Sequence, residues 1–282
     1  MSKIKIAELF YSIQGEGRYM GVPSIFLRTF GCNFSCKGFG MPRGELSQEA
    51  VSVDPSQYKE YGELPLVTTG CDSYASWDPR FKNFSPMMDI DTIVDKIMKL
   101  LPYNEWRDEH LVITGGEPLL GWQRAYPSLL GHHKMRGLKE ITFETNGTQD
   151  LDIGFKKYLL EWLQQDRSRE ITFSVSAKLP CSGHAFEETI RPQIVEDYSK
   201  VGYTYLKFVV ASEQDIEDAE AAIGFYKAGI DNFKIPVYLM PVGGVESVYL
   251  LNNKNVALAA LDRGWRYSDR LQVPLFKNAW AT

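Results

Sequence analysis

The sequence has no apolar run approaching the roughly 20 residues that a membrane-spanning helix needs. Its start, MSKIKIAELF, has no basic region, long apolar core or small-residue cleavage site. A soluble cytoplasmic protein with no membrane partner is expected. Basic residues are also in short supply: 31 Lys and Arg stand against 36 Asp and Glu, a formal charge of -5. Proteins that bind nucleic acid irrespective of its sequence usually carry the opposite balance, so no direct nucleic-acid partner is expected. Cysteine is scarce, with four in 282 residues. That is too few for a disulfide scaffold, and a reducing compartment keeps such residues as thiols or metal ligands. Internal repeats and low-complexity tracts are lacking too. What is there is an ordinary 44% of hydrophobic residues, enough for one packed core.

Short β-branched and aromatic runs recur along the chain: IKIAELFY, SIFLRTF, HLVITGG, EITFETNG, EITFSVSA, YTYLKFVV and KIPVYLMP. Helical patterns lie between several of them. In DIDTIVDKIMKLL, residues Ile90, Ile93, Val94, Ile97, Met98 and Leu101 share a face, and Asp89 is a natural N-cap. A second helix fits Ser212 to Lys227, capped by Ser212, with acidic residues in its first turn and Ile216, Ala219, Ile223 and Tyr226 on one stripe. Strand and helix in alternation predict an α/β fold with a parallel sheet, open or curved into a barrel. The stretch from Lys37 to Gly70 breaks the rhythm with PRG, DPSQ and ELP punctuation and mixed charge, so it reads as an insertion or a long functional loop.

The segment GCNFSCKGFG places Cys32 and Cys36 as the first two thiols of a CxxxCxxC pattern, yet the third position is Phe39. The next cysteine is Cys71, in TTGCDSYASWD, and Cys181 stands alone in KLPCSGH. Loop-closure entropy grows slowly with loop length, so a long excursion between ligands is tolerable. Four-iron clusters normally take four cysteines; three leave one iron open to a substrate or cofactor. On spacing alone, buried thiols acting as small apolar residues are an equal reading. In ITGGEPLL, two glycines after a strand let the backbone approach a ligand closely, at what would be the C-terminal face of a barrel. By itself that is also a strand-ending turn. Glu16 and Glu117 are available as an acid/base pair, although packing or hydrogen bonding suffices for both. The histidines His110, His132, His133 and His184 show no ligand spacing, and Trp265 reads as core.

Taken together, CNFSC and GGEP resemble the radical S-adenosylmethionine superfamily, and AELFYSIQGEG, GVPSIFLRTFGCN, CDSYASWD, VITGGEPLL and FETNGT are similar, in order, to the 7-carboxy-7-deazaguanine synthase family. The similarity is dense to Thr148 and thinner afterwards, at SAK, LKFVV, LMP and GWRYSDRL. It implies a single-domain partial (β/α) barrel of about six parallel strands over residues 1–282, with 37–70 inserted in the cluster-binding loop. It also implies a [4Fe-4S] cluster on Cys32, Cys36 and Cys71, S-adenosylmethionine, and Mg2+ at Ser73. Asp72, Gly116, Ser176, Lys178 and Pro241 match cofactor-binding positions; Ile13, Gln14, Gly15, Arg28 and Thr114 match substrate-binding ones. Arg28 fits a carboxylate by its fork geometry. A chain-terminal carboxylate in the substrate site would fall to Thr282. The implied reaction is ring contraction of 6-carboxy-5,6,7,8-tetrahydropterin to 7-carboxy-7-deazaguanine with loss of ammonia, in a homodimer served by an external one-electron reductant. The chain departs from the family pattern at Gln272, where a histidine is common, and at Met240, where a glutamine is. Rival readings are another radical enzyme of the superfamily, such as a glycyl-radical activase, or a non-enzymatic zinc or iron-sulfur module. The insertion is expected to be a lid or a dimer contact.

Overall fold

The alternation of strands and helices becomes one nine-stranded sheet in the computed structural model, which describes residues 2–243 and 246–282. Its strands are β1 (Lys3–Ile13), β2 (Pro23–Thr29), β3 (Met87–Asp89), β4 (His110–Gly115), β5 (Glu140–Thr145), β6 (Glu170–Val175), β7 (Tyr203–Val210), β8 (Val237–Pro241) and β9 (Arg266–Tyr267), in the order β3-β1-β2-β4-β5-β6-β7-β8-β9. From β2 to β9 every neighbouring pair is parallel. At the other end β1 joins β2, and β3 joins β1, antiparallel. The sheet's two edges, β3 and β9, do not pair, so the barrel is partial. Its parallel strands extend one beyond the expected six, the last of them two residues long.

Helices fill the connections. Helix α1 (Glu49–Ser52) lies between β2 and β3, α2 (Ile90–Leu100) follows β3, α3 (Tyr126–Leu130) follows β4, and α4 (Ile153–Gln164) follows β5. After β6 come α5 (Phe186–Thr189) and α6 (Pro192–Ser199), then α7 (Glu213–Gly229) after β7, α8 (Glu246–Asp262) after β8 and α9 (Gln272–Phe276) after β9. Two helix starts fall on the capping residues read from the sequence. Asp89 accepts the Thr92 N–H at 2.8 Å to start α2, and Ser212 with Asp215 forms a reciprocal capping box on α7.

Successive strand residues point to opposite faces, and the two faces have different partners. Ile25 and Leu27, Ile113, Phe143, Phe173, Phe208 and Leu239 pack into one core with helix residues including Val94, Leu159, Tyr198, Ala219 and Ala260. Burying each such side chain contributes about 1.5–3 kcal/mol. The alternate positions Phe26, Arg28, Thr114, Glu144, Lys207 and Met240 line a cavity instead. The fold thus spends its apolar residues on the helical face and keeps its charged ones for the inner face.

The stretch from Lys37 to Gly70 closes on itself. Ser47 N–H donates to the Lys37 carbonyl and Gly70 N–H to the Phe39 carbonyl, both at 2.7 Å. Tyr61, Leu64 and Val67 then build a small second core with Ala7, Tyr74, Ala75 and Phe81.

Candidate active site

The cysteines expected to share a cluster come to one place. The Phe39–Gly70 backbone bond returns the chain beside its starting point, where a Cβ on Gly70 would lie 3.8 Å from the Cys36 carbonyl. Cys71 follows immediately, so Cys32, Cys36 and Cys71 line one cavity of about 240 Å³. Cys181 does not line it; its thiol points at the Val209 carbonyl at 3.5 Å and packs against the main core. Burial pushes the Cys32 thiol up to about 12 and raises Cys36 and Cys71 as well, while Lys178 pulls all three the other way. Metal binding to such thiols releases their protons.

The donor set fits a four-iron cluster. Among the described residues no three His, Cys, Asp or Glu side chains close on a single point as one metal ion requires. Thiolates on a cluster each take a different iron, so three cysteines lining one cavity suit that group. The Phe34 N–H is directed at Cys32 Sγ at 3.4 Å, a bond that favours the thiolate.

The two glycines of ITGGEP serve this loop directly. A Cβ on Gly116 would sit 2.4 Å from the Gly31 carbonyl and 2.7 Å from Cys32 Cβ, and Gly115 holds φ at +150° against the Thr29 carbonyl. Their lack of a side chain is needed for the turn to press on the cysteine loop. Glu117 pins the same turn: its N–H donates to Gly31 O at 2.7 Å, and its buried carboxyl accepts from Leu119 N, Thr145 Oγ1 and Asn146 N at 3.0, 2.8 and 2.6 Å. Burial raises that carboxyl to about 7. Ser176 and Lys178 lie beyond the end of β6 on the cavity wall, joined by Lys178 Nζ to Ser176 Oγ at 3.1 Å.

The same cavity is lined by Ile13, Gln14, Gly15, Arg28, Asp72, Ser73, Thr114 and Thr282. Gln14 donates to Glu144 Oε1 at 3.2 Å and accepts the Glu16 N–H at 3.1 Å. Arg28 sends Nε to Glu8 Oε2 at 2.8 Å and one terminal nitrogen to Ser73 Oγ at 3.1 Å. Although burial opposes it, Glu8 raises the Arg28 pKa further and keeps the guanidinium charged. Asp72 pairs with Arg270, Glu16 pairs with Lys207, and Gln272 Nε2 reaches Glu16 Oε1 at 2.9 Å. Pro241, expected at the cofactor, lies between two lining residues. Pro241 is not on the cavity lining; strand alternation gives that face to Met240, with Val242 beyond the strand end.

Sequence reasoning passed over Glu8, Glu144, Lys207 and Arg270, all of which line the cavity. The signal existed: Glu8, Glu144 and Lys207 are charges inside otherwise apolar strands, the feature that singled out Arg28. Glu16, set aside as a general base, is tied into an ion-pair network.

A partial barrel with three cysteines and a Gly-Gly-Glu turn at the C-terminal ends of its parallel strands is the arrangement that the resemblance to radical S-adenosylmethionine enzymes implies. No protein-family profile matches the chain. It is 29% identical to the 7-carboxy-7-deazaguanine synthase of Halobacterium salinarum, over 98% of this chain and 91% of that protein. It is 28% identical to that of Rhodopirellula baltica, over 100% and 90%, and 25% identical to that of Pyrobaculum aerophilum, over 98% and 96%. The crystal structure of QueE from Escherichia coli has the same fold, with a TM-score of 0.55 at 19% identity, covering 95% of this chain and 94% of that one. Over nearly its whole length the chain is thus similar to 7-carboxy-7-deazaguanine synthases.

Proposed function

We propose that this protein is a 7-carboxy-7-deazaguanine synthase, contracting the ring of 6-carboxy-5,6,7,8-tetrahydropterin with release of ammonia in a deazapurine or queuosine-type pathway. The observation that carries this is one cavity lined both by Cys32, Cys36, Cys71, Gly115 and Gly116 and by Arg28, Gln14 and Ser73. Cys32, Cys36 and Cys71 would hold the cluster, and with S-adenosylmethionine it would supply the radical chemistry of reversible hydrogen-atom transfer. The protein's part is placement. Arg28 has donors beyond those spent on Glu8 and Ser73, and these suit the substrate carboxylate. Gln14 offers an amide edge to the pterin ring. Thr114 and Ile13 hold the ring's position, and burial of the site keeps water from the radical.

Ser73 Oγ, beside Asp72 Oδ1 at 3.2 Å, would give Mg2+ a hard oxygen, the remainder coming from substrate and water. Contacts to S-adenosylmethionine go to Asp72, Gly116, Ser176 and Lys178. A homodimer, a one-electron reductant and a cytoplasmic setting complete the reading; four free thiols suit a reducing compartment. Among the described residues no helix is long and apolar enough to cross a membrane.

The test has two arms. Anaerobic reconstitution should load about four irons per chain, retained in Cys181→Ala and lost in Cys71→Ala. Reduced enzyme given the carboxytetrahydropterin, S-adenosylmethionine and Mg2+ should form the deazaguanine, read by mass. Iron loading without any turnover would leave the cluster assignment standing and sink the substrate.

A further inference from the structure

Residues 277–282 follow α9 along the substrate end of the cavity, where Asn278, Trp280 and Thr282 line it. Lys277, Asn278 and Ala281 have φ of 56°, 54° and 62°, in the left-handed region that residues with a Cβ rarely choose. Contacts outside the segment must therefore hold it. The main one is Trp280. Its Nε1 donates to the Leu64 carbonyl at 2.6 Å, and its ring stands edge-on to Tyr61 at 5.0 Å and to Tyr74 at 6.1 Å. Leu64 and Tyr61 belong to the small core built by the 37–70 stretch.

The next residue turns this contact toward the chemistry. Ala281 N–H donates to Glu8 Oε1 at 2.9 Å, while Glu8 Oε2 accepts from Arg28 Nε at 2.8 Å. One carboxylate thus ties the strap to the arginine assigned to the substrate carboxylate.

We propose that the 37–70 stretch is a dock for residues 277–282, with Trp280 as a positioning residue that seats this strap on Glu8 and so fixes Arg28 for the substrate. The inference rests on the synthase reading for its substrate, but the dock can be judged without it. In place of a lid or a dimer contact, it makes the stretch an internal buttress.

Four variants test it: Trp280→Ala, Trp280→Phe, Tyr61→Ala and Tyr61→Phe. In the cluster-free chain, hydrogen exchange at residues 277–282 should quicken about tenfold in both alanine variants, the equivalent of about 1.4 kcal/mol. Trp280→Phe keeps the ring edge but loses the N–H donor and should fall between. Tyr61→Phe should match the parent, because the Tyr61 hydroxyl has no hydrogen-bond partner among the described residues. In the loaded enzyme the pterin KM should rise about tenfold in the alanine variants, with iron content and the KM for S-adenosylmethionine unchanged. Unaltered exchange in Tyr61→Ala overturns the dock. Faster exchange with an unchanged pterin KM overturns the positioning role, as does loss of iron in step with activity. If the parent enzyme turns over no pterin, the synthase reading fails while the exchange data still decide the dock.

Discussion

Replacing Lys207 with Met should destabilise the cluster-free chain by about 3 kcal/mol near neutral pH. The Lys207 side chain is 4% exposed and its ammonium meets Glu16 Oε2. Glu16 Oε1 accepts from Gln272 at 2.9 Å and lies 3.5 Å from Arg270 Nε. Burial alone would raise the Glu16 carboxyl; Lys207 first and Arg270 second reverse that and hold it at about 2, against an ordinary 4.5. Removing one partner of a buried pair costs about 3–5 kcal/mol because a charge is left behind. Arg270 remains to share that charge, which places the expectation at the low end. Linkage reaches the same size, since each decade between the folded and unfolded values is worth about 1.4 kcal/mol.

The pH dependence fixes the sign. A carboxyl held low in the folded state contributes its stability in full above the unfolded value and loses it as pH falls through the folded one. Here that window runs from 4.5 down to about 2. In Lys207→Met the Glu16 carboxyl rises, so less of this contribution is left to lose. The gap between the two proteins should be constant above about pH 5 and narrow below about pH 4. Urea unfolding followed by circular dichroism at several pH values measures it. Adding Glu16→Gln to the Lys207 variant should restore part of the loss by removing the stranded charge. A difference below about 1 kcal/mol at neutral pH, a gap that does not narrow in acid, or no recovery in the double variant would refute the reasoning.

Three more outcomes are expected. Gly116→Ala should fold yet bind little iron after reconstitution, because its Cβ has no room against Gly31 and Cys32; normal iron content would show the loop can yield. Arg28→Lys should raise the pterin KM between about tenfold and a hundredfold with the cluster intact, since an ammonium cannot serve Glu8, Ser73 and a carboxylate in one plane. Excising the chain between Lys37 and Gly70 so that the cysteines are joined by a short spacer should impair pterin binding; full activity in the shortened protein would refute lid, dimer contact and dock alike.

How far the sequence carried depended on the range of the interaction. Seven strands were legible because β-branched and aromatic runs mark them locally, and α2 and α7 because Asp89 and Ser212 announce their own caps. Strands β3 and β9 were not: Met87–Asp89 and Arg266–Tyr267 extend only by pairing with β1 and β8. The antiparallel course of β1 was likewise invisible in IKIAELFY, which alternates the same way in either direction. Candidate cluster ligands were readable from motifs, Cys71 included, since CDSY follows it. The ion pairs were not, because Glu16 and Lys207 are 191 residues apart and Asp72 and Arg270 198 apart. The place of Pro241 off the lining was hidden for a related reason: a motif gives a position in the chain, while the strand's period of two decides which face that position takes.

The same period explains how one cavity holds two different electrostatic ends. Around Arg28 cations and carboxylates are paired in place, Arg28 with Glu8, Lys207 with Glu16 and Arg270 with Asp72. Matching is required there, because an unpaired buried charge costs several kcal/mol, about 3–5 when one partner is removed. The cysteine end is arranged otherwise. Lys178 hydrogen-bonds a neutral hydroxyl, Ser176 Oγ, and acts against the burial of all three thiols. Three thiolates gathering there bring negative charge, and a cation facing them lowers the cost of deprotonation that metal binding requires. Charge is therefore balanced in advance around Arg28, and supplied as one sign beside the three cysteines, where the proposed cluster would bring negative charge.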